Sequence, residues 1–409
     1  MLAAAVATAS SPALALEQCV TAALDVTSVT ISGNSATAEG TLLELLPRPL
    51  PDRFSERELE EFERRLNNLG IFDHVVVRCE SRGLGVRVRE KWTLVPELDY
   101  SSGQTLADTY ALVGVTEYNL FGTANSLGLS AYRQRRGFGM SVAFAEHGYQ
   151  RRGWALEAAA SVGTESLRFD DGGWRTTSAD VTLSMRSPPV WHEYINIIPG
   201  IYASAETVSE VRGEAPSATQ SVQTFIGLSW DAYEWHDLVP FGLQASVWLF
   251  SGGVFGADAL GPRDSVEASF SGALPLGRGA VLVGRAEGIV GTRGNVNYGW
   301  TVGSVGGVRG LRDATYFNWV QLVGNLEVRQ SLRLGQRWAL QGVAFYDAAV
   351  FEQMTVEGGR GTARGAFSFG VGARVIPTWI SNIVLRLDTA RLLAPELSWF
   401  TQLGLNQYF

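Results

Sequence analysis

No stretch of the chain holds about 18 consecutive apolar residues, so a membrane-crossing helix is excluded on length. That absence leaves membranes open, because strands cross them differently. Only four histidines occur, His74, His147, His192 and His236, and they are scattered. No zinc-binding or phosphate-loop spacing appears, so no metal and no cofactor is expected. The adjacent His236-Asp237 pair reads as a polar strand end rather than part of a hydrolase, and no enzyme is expected. Basic residues are outnumbered: 33 Lys and Arg against 41 Asp and Glu give a net charge of -8. A phosphate-binding surface concentrates positive charge, so nucleic acid is not an expected partner. Cysteine is nearly absent, with only Cys19 and Cys79. Disulfide and free thiols are both open for that pair.

Proline is sparse at 14 residues, whereas the chain carries 46 Gly, 12 Trp, 12 Tyr and 19 Phe. That balance favours strands and turns over helices. The start, "MLAAAVATASSPALALEQC", has an alanine-rich apolar run ending in small residues. It has no positive n-region, yet it fits an export signal over residues 1–15 cleaved after Ala15.

Residues 16–91 read as a separate small α+β unit. "TSVTISG" at 27–33 alternates like a strand. A short, weak helix is expected over 36–46. "SERELEEFERRLNNLGIF" at 55–72 places Leu59, Phe62, Leu66 and Leu69 on one helical face. Ser55 and Glu58 form a capping box at its start, and Gly70 supplies its stop. "DHVVVRCE" and "GLGVRVRE" then read as a hairpin, giving the order β-α-α-β-β.

Residues 92–409 alternate apolar and polar side chains in about sixteen segments. About ten residues cross a bilayer as a strand, and roughly 318 residues shared among sixteen leave about twenty for each strand and its connection. Beyond Trp319, Val320, Leu322, Leu326, Val328 and Leu332 share one face, and Gln321, Asn325, Glu327, Arg329 and Arg333 the other. Phe369, Val371, Ala373 and Val375 point outward by the same parity, as do Ile383, Leu385 and Leu387. Arg374, Arg386 and Asp388 point inward. The fold class is an all-β transmembrane barrel of about sixteen antiparallel strands preceded by one α+β domain. A closed barrel is required because lipid satisfies no free strand edge.

Residues 291–318 are too long and glycine-rich for a tight hairpin and form a large loop late in the barrel. In "WTLVPELDY" at 92–100, Pro96 interrupts the first strand and cannot donate to a ladder. A weak seam is therefore expected between Thr93, Leu94 and Pro96 and the last strand, which carries Gly404 and Phe409.

Several motifs carry a family resemblance. "LGIFDHVVV" and "VRVREKWTLVP" resemble a POTRA domain, which implies capture of extended client chains by strand addition. "VRGL", formed by Val308, Arg309, Gly310 and Leu311, with "GNLEVR" at 324–329 and "AFYDAAVF" at 344–351, resembles the BamA/TamA-like outer-membrane assembly-barrel superfamily, which also includes two-partner secretion transporters. "GVTEYNLFGTANSLGLS" at 114–130 resembles its early hairpin. "QLGLNQYF" resembles the terminal targeting signal of such barrels through Gln402, Gly404 and Phe409, with Gln407 departing from it. The resemblance implies that the loop folds into the lumen and that Arg309 meets Asp347 and Glu327. Leu311 replaces a common aromatic, which puts the loop's packing in question.

The implied function is insertion of unfolded outer-membrane proteins through the seam, with those clients, the lipid bilayer and accessory periplasmic proteins as partners. A secretion transporter and a passive pore are the alternatives. The implied location is the bacterial outer membrane, with the N-terminal domain in the periplasm.

Overall fold

The computed structural model describes the chain except residues 1–23, 81–82, 102–108, 135–136, 147–152, 170–171, 193, 214, 216, 237, 257–260, 293–299, 304–306, 312–315, 355–359, 381–382 and 406–409. The expected signal peptide, Cys19, Asp237 and Phe409 lie outside the described residues.

The N-terminal domain comprises β1 (Leu24–Val26), β2 (Ser28–Ser32), α1 (Glu39–Leu43), β3 (Asp52–Phe54), α2 (Glu56–Asn68), β4 (Phe72–Glu80) and β5 (Gly83–Glu90). Its sheet runs β2-β5-β4, with β2 parallel and β4 antiparallel to β5. The β1–β3 pair adds a small ladder that sequence periodicity did not show, because three-residue strands carry almost no alternation.

In α2, Ser55 Oγ accepts from the Glu58 amide while the Glu58 carboxylate takes the Ser55 amide, a complete capping box. Leu59, Phe62 and Leu66 from α2 pack into a core with Leu42, Val77 and Val86. Gly70 ends the turn after α2 in the left-handed region at φ 72°, where a side chain would be strained. The weak helix is shorter than its sequence window, and the reason is local. Glu90 takes the amides of Ala36 and Thr37, and Gly122 takes that of Ala38, so those donors hold the chain extended before Glu39. Burial alone would lift the Glu90 carboxyl, but these donors and Ser35 hold it below the ordinary carboxylate range. Cys79 is disulfide-bonded, which decides between the two readings of the cysteines.

The barrel begins with β6 (Leu94–Ser101), β7 (Tyr110–Leu120), β8 (Asn125–Gln134), β9 (Gly137–Ala145), β10 (Ala155–Phe169) and β11 (Gly172–Arg186). It continues through β12 (Ile195–Arg212), β13 (Thr219–His236), β14 (Val239–Gly256), β15 (Gly261–Pro262), β16 (Ser265–Gly277) and β17 (Ala280–Gly291). It ends with β18 (Trp300–Val302), β19 (Tyr316–Leu334), β20 (Trp338–Met354), β21 (Arg360–Pro377), β22 (Leu385–Ala394) and β23 (Ser398–Gly404). The short β15 and β18 annex to β14 and β19, which leaves sixteen antiparallel wall strands among the described residues. β23 pairs with β6 and closes the circle.

Burial is inverted relative to a water-soluble protein. On β19, Val320, Leu322, Leu326 and Val328 are exposed outward, while Gln321, Asn325, Glu327 and Arg329 are buried inside. Leu385 and Leu387 on β22 are likewise exposed, with Arg386 and Asp388 buried. Every second residue therefore presents hydrocarbon to the outside, as a lipid-spanning barrel requires.

The domain sits at the barrel end where β6 begins. Gly122, in the β7–β8 turn, accepts the Ala38 amide at 2.9 Å and the Thr41 hydroxyl at 3.1 Å. Ala124 from the same turn is buried in the domain's own core. Across the mouth, Arg64 of α2 lies 5.0 Å from the ring centroid of Tyr194, just before β12. The domain is thus held to the rim by both polar and apolar contacts.

Candidate functional site

The loop joining β17 to β19 folds inward. β19 starts at Tyr316, earlier than the sequence boundary, because residues 316–318 pair with β18 inside the loop itself. The Val308–Leu311 segment is a tight turn, with the Leu311 amide donating to the Val308 carbonyl at 3.0 Å. Gly310 has φ 96°, and a methyl there would lie 3.4 Å from Leu392 Cβ and 3.5 Å from Phe400 Cβ. The space would admit a methyl at ordinary contact distance, so it is the backbone conformation that calls for glycine.

This turn drives Arg309 into the lumen wall, where it is fully buried. Its Nε and Nη2 donate to the two oxygens of Asp347, each at 2.8 Å, in a two-pronged pair. The Arg309 amide adds a third bond to Asp347 at 3.1 Å. Nη1 donates to Glu327 at 2.6 Å and reaches Asp388 at 3.5 Å. Phe345 lies beneath, its ring centroid 3.4 Å from the guanidinium carbon. A charged plane against an aromatic face adds attraction without using a donor.

The strands explain this convergence. Asn325 and Asp347 are a register pair on β19 and β20, so the polar face of one continues into that of the other. Asn325 Nδ2 donates to Asp347 at 2.9 Å and to the Gly307 carbonyl at 2.7 Å, tying wall to loop backbone. Ser368 on β21 donates to Asp347 at 3.3 Å. Glu327 also accepts from Arg329 at 2.6 Å, and Arg374 donates to Asp388 through both terminal nitrogens. Three carboxylates are thus interleaved with the guanidinium groups of Arg309, Arg329 and Arg374. In a buried site such groups hold together only as a satisfied set.

An apolar patch completes the anchor. Val308 and Leu311 pack with Val302, Val323, Phe351 and Leu392. Leu311 is 2 % exposed, so the aliphatic side chain packs the loop fully, which settles the question its packing raised. Sequence reasoning named Arg309, Asp347 and Glu327 but not Asp388, Arg374, Asn325 or Phe345 as their neighbours. The available signal was parity: each falls on the inward face of its strand, but parity alone does not say which strands meet the loop.

Of the expected seam residues, Gly404 pairs with Asp99 of β6, Thr93, Leu94 and Pro96 make no register pair with β23 among the described residues, and Phe409 lies outside them. Among the described residues β23 meets β6 over Gln402↔Ser101, Leu403↔Tyr100 and Gly404↔Asp99 only. By contrast, β20 and β21 pair from Trp338↔Pro377 to Met354↔Arg360. The Leu98 carbonyl accepts the Leu405 amide at 2.7 Å, so Leu98 turns its backbone groups toward the seam. Strand period two turns Pro96 the same way. Its missing N–H therefore lies on the side of β6 that faces away from β7. Thr93 turns toward β7, its carbonyl accepting the Tyr118 amide at 3.0 Å, and Leu94 is exposed outward.

A closed sixteen-strand barrel with an α+β domain at one mouth and an arginine-anchored loop in its lumen defines the class. No family model matches the chain, and no curated protein matches its sequence. Its fold does match solved structures. BamA from Haemophilus ducreyi lacking POTRA domains 1–3 is similar at 15 % identity and TM-score 0.54, over 93 % of this chain and 84 % of that one. CdiB from Acinetobacter baumannii is similar at 13 % identity and TM-score 0.63, over 94 % and 74 %. CdiB from Escherichia coli is similar at 11 % identity and TM-score 0.66, over 93 % and 76 %. At these identities the likeness is one of fold.

Proposed function

We propose that the chain is a bacterial outer-membrane assembly factor, which captures unfolded barrel proteins by strand addition and passes them into the bilayer between β6 and β23. The observation that carries this reading is Pro96, whose missing N–H falls on the side of β6 that faces β23 rather than β7. A parted seam offers strand edges to an incoming hairpin, whose backbone hydrogen bonds are then satisfied without water. The N-terminal domain serves as a POTRA-like periplasmic module. β4 is the outer strand of its sheet and supplies the edge on which an extended client docks first. Accessory periplasmic proteins and the lipid itself are the further partners. The anchored loop braces the wall next to the exit so that opening is confined to the seam.

A second reading, a two-partner-type secretion transporter, is favoured by one feature. The lumen wall and Trp300 of the loop line a cavity of about 460 Å³ that also contains Tyr202, Gln223, Trp248, Arg263 and Glu267. A client threaded through the lumen would pass this polar and aromatic surface. Purified protein in lipid vesicles, presented with an unfolded outer-membrane barrel, separates the readings. Faster appearance of a protease-resistant folded client in the membrane supports assembly. Client delivered into the vesicle interior supports secretion, and steady ion conductance without either supports a passive pore.

A further inference from the structure

Arg386, Gly404 and Asp99 occupy one row across three neighbouring strands: Arg386 pairs in register with Gly404, and Gly404 with Asp99. Adjacent strands lie about 4.8 Å apart, so a side chain on β22 must span two such steps to reach β6. Arg386 does so, its Nη2 lying 3.4 Å from Asp99 Oδ1. It crosses directly over Gly404, where an added methyl would sit 2.9 Å from Nη2 and 3.2 Å from Asp99 Oδ1. Gln402 donates to the same Asp99 oxygen at 3.3 Å. Asp99 and Arg386 are both nearly fully buried, which excludes water from competing strongly for the pair.

We infer that Arg386 and Asp99 form a side-chain clasp behind the seam, with Gly404 kept small so that the guanidinium can lie across the last strand. This inference rests on the seam being the exit, and it assigns the residues that hold that exit shut. The side-chain pair adds to the backbone ladder of Gln402↔Ser101, Leu403↔Tyr100 and Gly404↔Asp99 in holding the two strands together. The clasp is also joined to the loop anchor. Asp388 lies 4.0 Å from Arg386 Nε and 3.5 Å from Arg309 Nη1. One carboxylate thus faces both the loop arginine and the seam arginine. When the loop arginine leaves, Asp388 gains a stronger claim on Arg386 and draws it from Asp99. Loop withdrawal and seam opening are coupled through that shared acid, so that a loosened anchor lowers the barrier to parting the strands.

The test measures the seam itself, without any client, so it stands apart from the test of assembly. Nitroxide labels on cysteines introduced at Tyr100 and Leu403, an adjacent register pair, report strand separation for the full chain in lipid vesicles. Heat-modifiable gel mobility identifies the folded barrels. The parent protein should show a single short distance. Asp99→Asn and Arg386→Gln should each shift the population several-fold toward longer distances, and the double variant should shift it no further than either alone. Gly404→Ala keeps every charge but displaces the guanidinium, and it should loosen the seam as well. Arg309→Ala should do so to a smaller extent. Distances unchanged from the parent in folded Asp99→Asn or Gly404→Ala barrels would overturn the clasp. Fully additive effects in the double variant would overturn the pairing.

Discussion

Replacing Arg309 with alanine removes a cation that touches all three of Asp347, Glu327 and Asp388. The loss is uneven. Glu327 keeps Arg329 at 2.6 Å and Asp388 keeps Arg374, but Asp347 is left with the neutral donors Asn325 and Ser368. An uncompensated buried carboxylate is costly, and removing one partner of a buried pair typically costs about 3–5 kcal/mol. The figure should fall at the upper end, because the Phe345 ring contact and the amide bond to Asp347 are disturbed together. Lysine preserves the charge but not the two-pronged geometry, so Arg309→Lys should recover only part of the loss. Asp347→Asn placed in the Arg309→Ala background should restore some stability by removing the stranded charge. Urea unfolding of the barrel in vesicles, followed by gel mobility, measures each variant. A loss below about 1 kcal/mol for Arg309→Ala would mean that the group behaves as a solvated surface charge, and the anchoring argument would fail.

Gly310→Ala should weaken the same anchor while leaving its charges intact, since φ 96° leaves a side chain strained; limited proteolysis at the loop should rise. In the N-terminal domain, burial first and Glu60 second push the Glu63 carboxyl up to about 7, from an ordinary value of 4.5. Folding then favours the protonated form, so its stabilisation is complete below the ordinary value and is lost as pH rises through about 7. Thermal unfolding of the parent and of Glu63→Gln across that window should converge at low pH and separate as pH rises, with the glutamine variant ahead; parallel curves would refute it. Ser55→Ala removes half of the capping box and should cost about 1 kcal/mol of domain stability in denaturant unfolding.

Much of this architecture is legible from alternation alone. A strand that crosses lipid must show hydrocarbon on every second residue, so Val320 to Leu332 and Phe369 to Val375 reveal their faces without any knowledge of partners. Helix α2 is equally plain, because Ser55, Glu58 and the Leu59-Phe62-Leu66 face each carry a local physical reason. Long-range meetings are the part that periodicity does not encode. Asp388 was recognisably inward, yet its contact with Arg309 depends on how far the loop descends and on β22 standing beside β21. The role of Gly122 was hidden for the same reason: its carbonyl serves amide and hydroxyl groups about eighty residues away in sequence. The Arg386–Asp99 pair crosses the closure itself, joining positions that only barrel closure makes neighbours.

If clients leave between β6 and β23, a reversible lock across those strands must stop them. Cysteines at Tyr100 and Leu403 can be oxidised to staple β6 to β23, then reduced, with the parent protein carried through the same redox steps to account for Cys79. Vesicles holding the stapled protein should fold an unfolded outer-membrane barrel no faster than empty vesicles, and reduction should restore the acceleration. Equal client folding by stapled and reduced protein would contradict the account and place the exit elsewhere in the molecule.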